Sequence, residues 1–210
     1  MRMIIRYARE GAARFVSHLD MQRAFGRALR RAGLPVKFSE GFNPHIVMSF
    51  ASPLSVGIGT KGDYLEIRLE KECAGHEIKD RLNAVLPEEI RIISAGNLAE
   101  DTPKLMSMNH SAEYRLEFER DMETAAKEFM AMDSCITRDR KGREVDIRPL
   151  VLLMKVDGKN LTVCLENSSR AALNPATLAG ALGGGAVMTR LECFCLFRSK
   201  VIPMDALIQE

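Results

Sequence analysis

Apolar and polar positions run through the same order of elements twice along this chain. Arg2 to Tyr7 alternates enough to form a strand. Ser17 can cap a helix, and Asp20 stands three residues on, where a capping box has Glu or Gln. Met21, Phe25, Ala28, Leu29 and Ala32 fall on one side of a helix over 17–32, which Gly33 stops with Pro35 just beyond. Val36–Phe38 and Ile46–Phe50 read as strand pieces around the turn-rich Ser39-Glu40-Gly41-Phe42-Asn43-Pro44. Tyr64-Leu65-Glu66-Ile67-Arg68-Leu69 alternates apolar and charged side chains and predicts a half-buried strand. Gly75–Leu86 sets Ile78, Leu82, Val85 and Leu86 on one helical face, and Ile90–Ile93 is a strand.

The order returns after the polar stretch Glu100-Asp101-Thr102-Pro103-Lys104. Glu113–Glu119 is a strand with Tyr114, Leu116 and Phe118 on one side, and Asp121 caps a helix ending near Asp133. Glu144–Val156 and Leu161–Leu165 make a hairpin around Asp157-Gly158. Asn174, with Pro175 at the first helical position, starts a short helix that Gly183-Gly184-Gly185 ends, and Ala186–Phe197 is the last strand. This pattern predicts an α+β fold of two tandem ferredoxin-like β-α-β-β-α-β units. The first domain covers 1–100 and the second 108–210.

With 46% hydrophobic and 28% charged residues, the composition is that of an ordinary globular protein and excludes long disorder or a collagen repeat. The longest apolar run, Leu150–Met154, falls far short of the ~18 residues of a membrane span, so no membrane partner is expected. Met1-Arg2-Met3-Ile4-Ile5-Arg6 has no secretory pattern, and the 5 scattered cysteines read as free thiols in a reducing compartment. A cytoplasmic location follows as an expectation. Cys193 and Cys195 share one face of a strand, as core fillers or as two metal ligands. The histidines show no H-x-x-x-H spacing, and no metal or other cofactor is expected.

Charge is uneven. Residues 1–45 carry nine Lys/Arg against three Asp/Glu, which suggests an anionic partner at one face. On the helix, Arg23, Arg27, Arg30 and Arg31 form a stripe opposite the apolar side. Guanidinium forks match phosphate oxygens two at a time, and the competing reading is a plain solvated face. In the following turn, Phe42 is either a platform for an unpaired base or a ring folded into the core. Gly57-Ile58-Gly59-Thr60-Lys61-Gly62 lacks P-loop spacing and reads as a flexible connection. His18 and His45 are structural residues or an acid–base pair. The segment 138–149 is a basic loop entering a strand, as a second RNA contact or an exposed turn.

Three segments carry a family resemblance: Phe15-Val16-Ser17-His18-Leu19-Asp20, Arg27-Ala28-Leu29-Arg30-Arg31-Ala32-Gly33-Leu34-Pro35 and Phe38-Ser39-Glu40-Gly41-Phe42-Asn43-Pro44-His45. In these the chain closely resembles the radical-SAM-linked proteins, a bacterial family of unknown function. Met48–Gly57 and Glu144–Leu150 are similar to its signature segments too. The resemblance implies a cytoplasmic protein, separate from or fused behind a radical SAM protein with a cobalamin-binding-type domain. Its genes are often close to those for ribosomal proteins and an RNase of the E/G type. It carries over no catalytic residue. A second similarity is one of layout. Tandem ferredoxin-like domains with a glycine-rich loop before the last strand, here Gly180 and Gly183-Gly184-Gly185, resemble the RNA-binding proteins of CRISPR repeat processing.

The expectation is an RNA-binding accessory protein that presents rRNA or tRNA to a separately encoded radical SAM protein, in RNA modification or processing. Arg23, Arg27, Arg30, Arg31 and Lys37 would hold phosphates, Phe42 would stack on a base, and His18, Asn43 and His45 would read edges. The chain has no C-x-x-x-C-x-x-C run, so radical chemistry would belong to the partner. Two other classes stand beside this one. One is a metal-independent endoribonuclease using His18 and His45; the other is a protein-only adaptor docking its arginines on the radical SAM enzyme.

Overall fold

In a computed structural model describing residues 1–138 and 142–209, the first half runs β1 (Arg2–Arg9), α1 (His18–Arg31), β2 (Met48–Phe50), β3 (Ile58–Arg68), α2 (Gly75–Asn83) and β4 (Ile90–Leu98). A one-turn helix, α3 (Leu105–Met108), leads into β5 (Asn109–Glu117), α4 (Glu123–Ala131) and a small hairpin of β6 (Ile136–Arg138) and β7 (Glu144–Asp146). The chain closes with β8 (Val151–Asp157), β9 (Asn160–Glu166), α5 (Pro175–Ala181), β10 (Val187–Phe197) and β11 (Lys200–Pro203). Among the described residues, one mixed α+β sheet of 9 strands, mostly antiparallel, has the order β4-β1-β3-β10-β5-β9-β8, with β2 added on β3 and β11 on β10.

The two halves of that sheet meet along a short seam. Strand β10 runs parallel to β3 with Met188, Thr189 and Arg190 opposite Ile58, Gly59 and Thr60. Beyond the seam the strands part. Strand β2 takes the edge of β3 opposite Leu65–Ile67, and β11 takes the edge of β10 opposite Phe194–Phe197. The approach is close: a Cβ on Gly62 would lie 2.6 Å from the Leu191 carbonyl oxygen, and one on Gly59 3.3 Å from that of Arg9. Glycine is what two backbones this near require. The segment read as a flexible Gly-x-Gly connection is therefore the start of a central strand.

A buried ion pair crosses the seam. Arg190 Nη1 donates to Asp63 Oδ1 at 2.9 Å with both side chains almost wholly inaccessible. Arg190 Nε donates to the Tyr114 hydroxyl at 3.1 Å and Nη2 to the Pro53 carbonyl at 3.3 Å. Asp63 also accepts from the Thr60 hydroxyl at 3.1 Å and the Tyr7 hydroxyl at 3.4 Å. Burial opposes the charge on Arg190, yet Asp63 and Tyr114 beside it raise its pKa well above the ordinary arginine value. Burial and the Asp63 charge likewise push Tyr7 well up.

Three clusters make the core. Helices α1 and α2 cover one face of the first half through Met3, Ile5, Phe25, Leu29, Leu65 and Leu82. The second half packs Tyr114, Leu116, Phe129, Val163 and Leu178, and Leu54 and Ile58 from the first half complete that cluster. On the opposite face, Ile4, Tyr64, Cys193 and Cys195 are covered by Leu105, Met108, Met204 and Leu207. Cys193 and Cys195 thus share a face, as the strand spacing requires, and both lie in the core. Burial pushes their thiols up to about 12 and about 11.

That third cluster buries the second face of β3. Strand β3 is buried on both faces rather than half-buried, because its polar members are partnered inside. Glu66 accepts from Arg2 Nε at 2.8 Å and Nη2 at 3.1 Å, and the Tyr64 hydroxyl donates to Glu192 at 2.6 Å. The span 144–156 is not one strand: it breaks into β7, a 3-10 turn at Arg148–Leu150, and β8. Pro149 lies in that turn, without the N–H that a ladder needs. Strand β11 follows a turn in which Arg198 (φ 47°) and Ser199 (φ 62°) are left-handed without glycine, so no sequence signal announced it.

Gly62→Ala drives a methyl group into the Leu191 backbone and should lower stability by about 1–3 kcal/mol in chemical denaturation. Asp63→Ala leaves Arg190 buried without its counter-charge and should remove more, about 3–5 kcal/mol. An Asp63→Ala protein as stable as the parent would show that the pair does not hold the seam.

Candidate functional site

Helix α1 is fastened to the sheet by aromatic edges. The Phe25 ring meets Tyr7 at 5.0 Å and Phe50 at 5.6 Å, and His18 packs on Phe50 at 5.1 Å, all edge-on. The Ser17 hydroxyl oxygen accepts from the Asp20 N–H at 3.2 Å, so the expected cap forms, and Gly33 (φ 60°) follows the C-terminus. With Met21, Phe25, Gly26, Ala28 and Leu29 buried, the arginines must face outward.

Outward, they divide between two grooves. Arg23, Arg27 and Arg30 line a groove of about 450 Å³ between α1 and the turn-rich segment after it, with His45 on the far wall. Gly26, Ile46 and Met48 add apolar lining. Arg31 instead turns toward α2 and donates to the Val85 carbonyl, in a neighbouring groove that Arg27 also reaches. Arg23 pairs with Asp20 at 2.9 Å. Among the described residues, Arg27 and Arg30 make no ion pair, although the Asp20 charge also acts on Arg27; the Arg30 guanidinium lies 5.7 Å over the Phe38 ring. Guanidiniums that outnumber the carboxylates on a concave wall attract anions.

The far wall is a small hairpin. Phe38 bridges Ile46, and the Ser39 hydroxyl accepts from the His45 N–H at 3.1 Å and contacts His45 Nδ1 at 2.9 Å. That contact orients the imidazole and leaves Nε2 without a hydrogen bond among the described residues. Phe42 sits at the loop tip, fully exposed, so the reading that folds it into the core is corrected. Gly41 (φ 117°) supplies the tip's left-handed geometry. Asn43 and Lys37 are exposed on the same hairpin. His18 lies outside the groove lining, half-buried, and no hydrogen bond joins it to His45 among the described residues.

The predicted site residues do not include Leu19, Gln22, Gly26, Ile46 and Met48, which line the groove, or Phe38 beneath Arg30. Gly26 was legible. A glycine inside a helix costs about 1 kcal/mol relative to alanine, and this one has ordinary helical backbone and lies against the groove. Not all of the positive charge of residues 1–45 reaches the surface. Arg2, Arg6 and Arg9 point into the fold, where Arg6 pairs with Glu192 at 2.9 Å and Asp205 at 3.1 Å, and Arg9 donates to the Val16 and Ile58 carbonyls. The outward excess is carried by α1. Of the basic segment 138–149, Asp139, Arg140 and Lys141 lie outside the described residues; Arg143 and Arg170 line a groove of about 510 Å³ in the second half.

A mixed α+β chain with a large, mostly antiparallel sheet and a basic, aromatic-flanked groove is the class that this fold and site define. Within it, the protein belongs to a bacterial family described as uncharacterized protein conserved in bacteria (DUF2344), whose model matches residues 2–175. The match contains all of α1 and its hairpin, whereas Arg190 lies beyond it. No curated protein matches the chain. No helix among the described residues is long and apolar enough to cross a membrane.

The helix that carries the groove can be loosened at its cap. Ser17→Ala should cost about 1 kcal/mol of stability. Hydrogen bonds from Ser17 and Arg23 hold the Asp20 carboxyl below the ordinary aspartate range. A depressed pKa stabilises the fold above the unfolded value, and that contribution is lost as pH falls through the folded one. Asp20→Asn should therefore melt below wild type at neutral pH and match it once Asp20 is protonated. An equal difference at both pH values would assign the effect to something other than ionisation.

Proposed function

We propose that this protein is an RNA-binding accessory protein of a radical SAM enzyme, acting on rRNA or tRNA in the bacterial cytoplasm, with its α1 groove as the RNA contact. The observation that carries the reading is the convergence of Arg23, Arg27 and Arg30 with His45 on one concave surface beside the exposed Phe42. Arginine forks for phosphates, a ring for a base and an imidazole for an edge are the chemistry of single-strand recognition. The partner enzyme rests on the sequence resemblance alone. With the inserted β6–β7 hairpin and the added β11 set aside, each half has a β-α-β-β-α-β order with its fourth strand beside its first and its third on the other side of the first, which supports reading both as ferredoxin-like units.

The test is RNA affinity at two salt concentrations, with total tRNA and rRNA fragments. Changing Arg23, Arg27 and Arg30 together to Gln should make the slope of log affinity against log salt shallower by about 2, at roughly 0.7 per phosphate contact on a single strand. Arg31→Gln, in the neighbouring groove, should change it far less. Wild-type protein that binds none of these RNAs would overturn the reading.

A further inference from the structure

The groove of the second half plays no part in the RNA reading, and its walls are built from the hairpin of β6 and β7 and the chain entering α5. Thr137 pairs with Val145 across the hairpin. Side chains alternate along a strand, so Arg143, Val145 and Ile147 share one side of that wall while Glu144 and Asp146 take the other. The side away from the groove is spent on structure. Glu144 lies 3.9 Å from Arg138, and Asp146 Oδ1 accepts from the N–H groups of Cys135 at 2.8 Å and Arg148 at 3.1 Å. The Ile147 N–H donates to the Cys135 carbonyl at 2.9 Å, and Arg148 Nη2 to that of Met130 at 3.1 Å. These bonds fix the wall without help from any ligand.

The side toward the groove carries groups that the fold does not use. Ile147 and Leu173, both buried, and the partly buried Leu150 give it an apolar floor. Arg143 and Arg170 line the same groove, and no Asp or Glu is among the described residues that do. Arg170 is exposed and makes no ion pair or hydrogen bond among the described residues. Thr137 Oγ1 is buried there without a hydrogen bond among them, and the Thr177 hydroxyl has none either. Asn174 differs, since its side chain donates to Ser55 Oγ at 3.0 Å and accepts from the Ala176 N–H at 3.0 Å. A buried hydroxyl left unpaired is destabilising until a partner meets it.

We propose that this groove binds a free mononucleotide, its base against Ile147, Leu150 and Leu173, its ring edges met by Thr137 and Thr177, and its phosphate by Arg170 with Arg143. Guanidinium forks take phosphate oxygens in pairs. Hydroxyls that both donate and accept suit the heteroatoms of a base edge. An acyl chain would leave both threonines unpaired, and a bare phosphate would leave the apolar floor uncovered. At about 510 Å³ the groove is within the roughly 300–1,000 Å³ of small-ligand sites, where a mostly apolar lining with a few placed polar groups is the rule. It shares no residue with the α1 groove, so the proposal does not depend on the RNA reading.

Adenosine and uridine 5′-monophosphates, the two nucleosides and inorganic phosphate would be titrated by calorimetry into the full chain. A mononucleotide should bind, with its nucleoside and inorganic phosphate each at least about tenfold weaker. Arg170→Gln should weaken the mononucleotide about tenfold and leave the nucleoside unchanged, whereas Thr177→Val should weaken both alike. Both positions lie outside the core clusters, and melting curves without ligand check that each variant folds. Wild type that binds neither mononucleotide overturns the proposal, as does inorganic phosphate bound just as tightly or an Arg170→Gln protein with unchanged affinity. Affinity that falls with Arg23→Gln instead would move the nucleotide to the α1 groove and overturn this seat while leaving the RNA reading intact. Indole-3-acetate bound as tightly as the mononucleotide would reassign the groove to an aromatic carboxylate. A 5′-phosphorylated tetrauridylate bound more tightly than uridine monophosphate, and equally dependent on Arg170, would reassign it to an RNA end.

Discussion

Asp63 and Arg190 meet where the two halves of the chain share a sheet, and the rest of the architecture depends on that junction. The parallel pairing there is only as long as Ile58–Thr60, too short to join the halves by its own hydrogen bonds. The ion pair adds a charge-assisted link inside the core, and the glycines of β3 let the backbones come close enough for it. A buried pair of this kind is costly to break from one side, because the remaining charge has no water to turn to. Its hydroxyl partners, Tyr7, Thr60 and Tyr114, come from β1, β3 and β5. Strands from both halves are thus tied to one electrostatic centre.

The same economy of internal charge shapes the surface. Strand β1 carries Arg2, Arg6 and Arg9, and each is consumed inside: by Glu66, by Glu192 with Asp205, and by main-chain carbonyls. Arg2 also holds the connection between the halves, donating to the carbonyls of Ala99, Glu100, Thr102 and Pro103. With these arginines withdrawn, most of the solvent-facing positive charge of residues 1–45 lies on α1 and its hairpin. The groove owes its field to that subtraction as much as to its own residues.

Position within the groove follows from α1 being held rigidly. The Phe25, Phe50 and Tyr7 rings fix its rotation about its axis. That rotation decides that Arg23 and Arg30 face His45 while Arg31 faces Val85. On a helix drawn as a wheel the arginines form one stripe; on the folded protein the neighbours on either side divide it.

Local chemistry was legible in the chain. The α1 helix with its Ser17 cap and Gly33 stop, the Asp157-Gly158 turn, the pairing of Cys193 and Cys195 on one strand face and the outward stripe all follow from periodicity and short-range steric rules, which need no distant neighbour. What only the tertiary structure decided involves residues far apart in sequence. The meeting of Asp63 with Arg190, the burial of Glu66 against Arg2 and the inward turn of Arg6 each reverse what local polarity suggests, because a charged side chain reads as solvent-facing until its partner is known. The groove stands on the same divide: its arginines are written in one helix, but its far wall and its depth exist only once residues 38–48 fold back beside α1.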